Sequence, residues 1–386
     1  MSTATPACFS RSERSGLPGA RGARSPLAGV LGGTLFFLAA ALHGQTGDPG
    51  PPIPGTRSLY LLDVPFLHFG PQDISAPRPG MGTLDLQVSY GNTFSHTWHP
   101  QAIHNEFQRN GLSFSREEAE TLHSRHAQDF IEFIDGEVTR VALRGAWGLS
   151  ENFSVAVEVP YVSYDAIHLE GAIESFHGAL GLYDGQRRSF PADQYVVVRQ
   201  RSSGRLEFED RLPAAGLSDL TASLRYRDRF ANGLCFSADL TVKAPTGNAN
   251  EYRGSGSLDA GLLVGALYRF GDGGRWGLRA EGGYVVPGTF RGDAVTTFEV
   301  TAFARVLAAA DVRLGRETFL ALSATWEQSP FRRDAVGDEA AASVDVTVGI
   351  SRRFGHLLAS LALVENVPRY GDSTDVALAL AVKFVP

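Results

Sequence analysis

The chain has 386 residues, 10% of them aromatic, with 43 glycines and a formal net charge of −7. That length suits one large domain or two small ones, and the mild acidity argues against a nucleic-acid-binding surface. Only Cys8 and Cys235 are present, and Cys8 falls in a segment read below as removable, so a disulfide framework and a cysteine-based metal site are excluded.

Residues 1–44 read as a signal peptide. Arg11, Arg14, Arg21 and Arg24 precede an apolar run from Pro26 to Leu42 that ends in Ala39, Ala40 and Ala41, the positive, apolar, small-residue order of a secretory signal. A single membrane anchor is the other reading, since the run approaches the ~18 residues a spanning helix needs. The Gly and Pro that interrupt it favour the signal. Residues 45–79 are too rich in Pro and Gly for a regular element and read as a periplasmic tether or an inner plug, with a flexible linker as the alternative.

From residue 80 onward the period is two. In TLDLQVSY, Leu84, Leu86, Val88 and Tyr90 alternate with Asp85, Gln87 and Ser89, a pattern that belongs to a strand and not to a helix. The pattern recurs near 82–96, 129–148, 153–165, 217–230, 233–245, 257–270, 275–287, 296–313, 317–330, 342–354, 356–367 and 374–385. Most of these segments exceed the ~5 to 6 residues of an average soluble strand and reach the ~9 to 11 that a tilted strand needs to cross a bilayer.

The connections alternate in length. Those at 149–152, 231–232, 271–274, 315–316 and 355 are short, whereas 97–128, 166–216, 246–256, 288–295, 331–341 and 368–373 are long. Outer-membrane barrels have this asymmetry, with tight periplasmic turns and longer outer loops. One face of the segments carries residues such as Val155, Val157, Val159, Leu240, Val348, Ile350 and Leu380. The other carries Glu158, Asp345, Lys383 and the lumen-facing candidates Arg225, Arg227, Asp239, Lys243, Asp259, Arg279, Glu281, Glu299, Arg305 and Glu327. A mid-strand charge costs ~2–4 kcal/mol against lipid but pairs or hydrates in a lumen, so the apolar face is read as outward. In a sealed barrel, pairs such as Arg279 with Glu299 or Arg305 with Glu281 on adjacent strands would close the lumen.

Aromatic residues gather at segment ends. Trp147, Phe153, Phe230, Phe270 and Trp276 border short turns, and Trp98, Tyr161, Tyr284 and Trp326 lie toward long loops, as two interfacial girdles would. Lipid offers no water to satisfy a sheet edge, so the strands must close. The expected fold is all-β: a closed antiparallel transmembrane β-barrel of about 12 strands with an elaborated extracellular loop.

The motifs LSDLTASLRYRDRF (217–230), TVKAPTG (241–247) and GSLDAGLLVGALYRF (256–270) resemble outer-membrane channels associated with phenol and fatty-acid uptake. FIDGEVTR (133–140) with ESFHGALGLYDGQRRSFP (174–191) resembles more closely a family of bacterial outer-membrane β-barrels labelled only as a domain of unknown function. The likeness runs from about residue 55 to the end. It departs at Tyr183, where a Pro is expected, and at the C-terminus, where assembly machinery would have to read Phe384 two residues from the end. The resemblance implies the bacterial outer membrane as location, with outer-membrane lipid, the barrel-assembly machinery and a small-molecule solute as partners.

Residues 166–216 are too long for a bare connection. Ile173, Phe176, His177 and Leu180 fall at helical spacing, and YVVVRQRSSGRLEFEDRL reads as a hairpin about Ser203-Gly204. This unit reads either as a gate in the mouth or as a surface cap; its gate candidates are Glu137, Phe176, His177, Asp184 and Arg187. His96, His99, His104, His123 and His126 suit a transition metal by type, but no His-Glu-x-x-His pair supports them, and they are read as solvated; neither metal nor cofactor is expected. His356 and Ser360 share a face with Asn366 but stand about 13 Å apart along one strand, too far for proton transfer, so no enzyme is expected. Three readings follow: a passive channel for small hydrophobic or amphipathic solutes, a sealed structural or recognition barrel, and, weakest, a lipid-modifying enzyme.

Overall fold

The structure, a computed structural model, describes residues 53–75, 77–96, 130–164, 171, 175, 177–179, 195–200, 206–209, 213–230, 233–292, 299–331, 342–367, 374 and 376–385. The signal segment lies outside them. In chain order the strands are β1 (Gly82–His96), β2 (Phe130–Gly148), β3 (Phe153–Ser163), β4 (Tyr195–Gln200), β5 (Leu206–Glu209), β6 (Gly216–Leu217), β7 (Thr221–Arg229) and β8 (Leu234–Lys243). They continue as β9 (Asp259–Phe270), β10 (Trp276–Val286), β11 (Phe303–Arg313), β12 (Thr318–Glu327), β13 (Ser343–Phe354), β14 (Leu357–Asn366) and β15 (Val376–Phe384).

Twelve of them form a closed antiparallel ring: β1, β2, β3 and β7 to β15 pair in sequence order, and β15 returns to β1. The long β2 projects beyond the ring, where its first residues pair with β4, and β4 pairs with β5 in a hairpin. The two-residue β6 adds to the end of β3. Among the described residues no helix is long and apolar enough to cross a membrane.

Alternation decides each strand's two faces. Leu86 pairs with Val382, and Val348 with Leu363, in rows of exposed apolar side chains around the outside. On the inner face Ser351 meets Ser360 at 2.9 Å, and most charged side chains are buried. Trp147, Phe153, Phe230, Phe270, Trp276, Phe354 and Phe384 are exposed near the short-turn end. The turn between β13 and β14 places Gly355 first, with φ at 60°, the backbone state that two-residue hairpins take to match strand twist.

One segment departs from the sequence pattern. Strand structure expected from residue 296 begins at Phe303; before it, Val300 makes only an isolated bridge to Phe331, and Thr301 donates to the Pro330 carbonyl at 2.8 Å. These contacts join the segment before β11 to the segment after β12.

Residues 53–75 run inside the ring and turn back on themselves. Ile53 packs with Leu307, Ala309 and Ala321. Leu59 to Phe66 rise into an apolar cluster with Val162, Tyr164, Tyr252, Phe290, Phe331 and Val364 near the long-connection end. The chain then descends: Leu67 and Phe69 pack with Leu263, Val285 and Phe303, and Ile74 packs with Cys235 and Leu267 near the short turns. It leaves at Gly80, whose N–H donates to the Gly148 carbonyl at 2.9 Å. Glycines on the wall admit this packing: a Cβ at Gly261 would lie 2.7 Å from the Phe69 ring, and one at Gly349 would lie 2.7 Å from Pro54.

Candidate functional site: the occupied lumen

The inner segment carries polar groups into a ring of charges, and Leu67, His68, Gln72 and Asp73 each bond to side chains on the surrounding strands. The Leu67 N–H donates to Asp259 Oδ2 at 2.8 Å. The Gln72 N–H donates to Glu281 Oε1 at 3.1 Å, its carbonyl accepts from Arg279 Nη1 at 2.7 Å, and Ser237 Oγ donates to its side-chain oxygen. Backbone groups in an irregular segment have no ladder to satisfy them, so inward side chains take that role.

Asp73 is the most heavily engaged residue. Its carbonyl accepts from Arg225 Nη2 at 2.5 Å and from Arg227 Nε and Nη2 at 3.0 and 2.7 Å. Its carboxylate accepts from Lys383 Nζ, Ser75 Oγ and the Ser75 N–H. Burial pushes this carboxyl up, but Lys383 and Arg225 outweigh it and hold it well below the usual carboxylate range.

Beside Asp73 lies a polar cavity of about 80 Å³, lined among others by Arg57, Arg140, Arg144, Glu158, Arg225 and Asp239. That is room for a few waters or one small anionic group. Arg140 and Arg144 both bond Glu158, the latter at 2.6 Å, and Arg227 Nη1 bonds Asp239 Oδ1 at 2.5 Å. Arg57 differs, with neither a hydrogen bond nor an ion pair among the described residues. Burial, then the neighbouring Arg140, holds its guanidinium down at about 9, still charged at neutral pH.

Most of the remaining wall charges pair with each other. Lys243 bonds Asp219 and stands 3.3 Å from Asp259; Arg305 stands 3.3 Å from Glu281 and 3.7 Å from Glu327; Arg269 bonds Asp311. Glu299 is the exception among the inward candidates: it is exposed and outside the strands, so Arg279 pairs within its own strand with Glu281 at 3.4 Å. The ladder stops short of residue 299, which removes the pleat that would have aimed it inward.

On the opposite side of the lumen, His68 Nδ1 lies 2.7 Å from Glu327 Oε1, and its Nε2 faces Asp63 Oδ1 at 3.8 Å. Burial, moderated by His68 and Ser58, pushes the Asp63 carboxyl up to about 6. Burial opposes charging of His68, but Asp63 and Glu327 outweigh it and raise the ring above its ordinary value.

Of the gate candidates, Glu137 is buried in β2. His177 is buried in a helical stretch, with Nε2 at 3.2 Å from Glu365 Oε1. The pleat places Glu365 with Leu361 and Leu363 on the outward face of β14, so this contact is not among the inward charges. Phe176, Asp184, Arg187 and the side chains of the five loop histidines lie outside the described residues. His356 accepts or donates at the Val385 carbonyl, 3.1 Å away, and Ser360 is engaged with Ser351.

A family model described as a protein of unknown function (DUF3187) matches residues 113–385. The chain belongs to that family. Among curated proteins none matches the sequence. Solved structures of similar fold include an outer-membrane channel from Pseudomonas putida F1, 16% identical with a TM-score of 0.47, covering 82% of this chain and 100% of that one. A FadL homologue from Pseudomonas aeruginosa is 10% identical with a TM-score of 0.37, covering 87% and 99%. The toluene transporter TbuX of Ralstonia pickettii is 11% identical with a TM-score of 0.35, covering 79% and 88%. This family member's inner residues Asp63, His68, Gln72 and Asp73 were not among the sequence candidates. The signal available for them was the set of inward mid-strand glycines, Gly261, Gly265, Gly283 and Gly349, which mark where something approaches the wall.

Proposed function

We propose that the protein is a passive uptake channel of the bacterial outer membrane, closed at rest by residues 53–79. The observation that carries this reading is the attachment of that segment. It fills a polar lumen and is held there by side-chain hydrogen bonds and ion pairs, which another polar occupant can replace, while the outer surface of the same ring is apolar and suits lipid. An arriving solute meets the apolar cluster of Leu59, Tyr60, Phe66, Phe290 and Phe331 first, then the chamber lined by Arg57, Arg140, Arg144 and Arg225. That order favours a small amphipathic solute with an anionic group.

The tight filling also supports a second reading, a sealed barrel with a structural role. The full chain in planar bilayers and in liposomes separates the two. The channel reading expects brief openings and uptake of small aromatic or aliphatic carboxylates, with steady large openings once residues 53–79 are deleted. The sealed reading expects the deletion variant to conduct while the full chain passes neither current nor solute, and that result would end the channel proposal.

A further inference from the structure

We propose that the inner segment carries a site for a divalent transition metal, with Asp63 Oδ1 and His68 Nε2 as its protein ligands. The two atoms face each other at 3.8 Å, both residues are at least nine-tenths buried, and neither atom has a hydrogen-bond partner. The contact of His68 Nδ1 with Glu327 Oε1 at 2.7 Å makes Nδ1 the donor, because the carboxylate has no proton to give. In the neutral ring Nε2 is then a bare lone pair aimed at a carboxylate oxygen. Two buried acceptors in that arrangement repel unless a positive centre, either a proton on Nε2 or a bound metal ion, sits between them.

A metal ion fits the gap. Zinc lies about 2.0 to 2.1 Å from imidazole nitrogen and about 2.0 to 2.2 Å from carboxylate oxygen, which spans 3.8 Å with a bent N–metal–O angle. Both ligands are already oriented. Asp63 Oδ2 accepts from Ser58 Oγ at 2.7 Å, leaving Oδ1 forward, and the bond from Nδ1–H to Glu327 is the carboxylate support that metal-binding histidines commonly have. The turn between them is rigid: the Asp63 and Val64 N–H groups both bond the Tyr60 carbonyl, and the Phe66 N–H bonds the Asp63 carbonyl at 2.9 Å. The His68 ring also lies against Phe303, with centroids 4.9 Å apart.

The surrounding charge favours a cation as well. Asp345 sits on β13 diagonally across from Glu327 on the same inward face, and its Oδ1 is buried and unpaired. The cation nearest these carboxylates in the ion pairs of the wall is Arg305, which is shared with Glu281. An imidazole with few oxygens selects zinc, cobalt, nickel or copper, since calcium and magnesium require six or more oxygen ligands. The proposal is independent of whether the barrel conducts, because it concerns binding at the junction of the inner segment with β12.

The test uses the full chain folded in detergent, titrated with zinc and cobalt and followed by calorimetry and the cobalt visible spectrum. A variant with His96, His99, His104, His123 and His126 all changed to Gln removes competing loop histidines. The expected result is one equivalent bound with that variant as with the native chain, weakened at least tenfold by His68→Gln or Asp63→Asn. Should those substitutions impair folding, X-ray absorption of the zinc-loaded five-histidine variant decides alone: one imidazole with oxygen ligands supports the site. No binding, binding abolished in the five-histidine variant, or binding unchanged by His68→Gln and Asp63→Asn would overturn it.

Discussion

The two sides of the lumen treat the inner segment differently. Toward β2, β3, β7 and β15 the wall is rich in cations, and Asp73 is gripped by three of them, Arg225, Arg227 and Lys383. Toward β12 and β13 the wall is rich in carboxylates, and His68 meets Glu327 while Asp63 Oδ1, His68 Nε2 and the nearby Asp345 Oδ1 are left without hydrogen-bond partners. At Asp73 the segment is anchored by three cations, whereas at Asp63 and His68 buried polar atoms remain without hydrogen-bond partners. A buried ionic contact holds firmly only where every partner is present, so the same segment is fixed at one end and responsive at the other.

Breaking the anchored side should have the largest effect. Asp73→Ala leaves Lys383 buried without its carboxylate, which costs ~3 kcal/mol on the scale of broken buried pairs. The expected outcome is rapid protease cleavage within 53–79 and a lower urea midpoint; an unchanged cleavage rate would mean that the cationic side does not anchor the segment. Gly261→Val presses on Phe69, next to His68, and should cost ~1–3 kcal/mol by overpacking. Its signature is loosening of the carboxylate side, seen as faster hydrogen exchange at residues 63–69 with 73–75 unaffected.

Smaller effects sharpen the contrast. Arg57→Gln removes a desolvated cation that makes neither a hydrogen bond nor an ion pair among the described residues, so stability should not fall. The channel's reversal potential in a salt gradient should move toward cations; an unmoved potential would remove Arg57 from the solute path. The smallest expected change concerns pH. A carboxyl held low in the folded state contributes stability above its unfolded value, ~3.9, and loses it only as pH falls through the lower folded value. Protease protection contributed by Asp73 should therefore be flat from about pH 8 to about pH 5, measured as the difference between native chain and Asp73→Ala.

The ring was legible because lipid imposes a period of two and leaves no open edge. Val344, Val346, Val348 and Ile350 announce an outward face without any knowledge of their partners, and the turn at Gly355 follows from its position between two such runs. Arg225, Asp239 and Arg279 could be sorted inward by cost alone. Glu299 could not, since alternation near residue 300 continues past the point where a pairing strand ends. The inner segment resisted reading for a different reason. Its Pro and Gly residues erase periodicity, and the partners of Leu67, His68 and Gln72 lie some 190 to 260 residues away in sequence. Nothing local in Asp63 or His68 signals that they face each other.

The most direct test of a closing segment is a reversible staple. Ile74 packs against Cys235, the free cysteine of the described residues, so Ile74→Cys offers a disulfide between segment and wall. Solute flux into liposomes should be lost on oxidation and return on reduction, while the native chain responds to neither. Flux that persists with the staple closed would contradict the account, because the solute would then pass without moving residues 53–79.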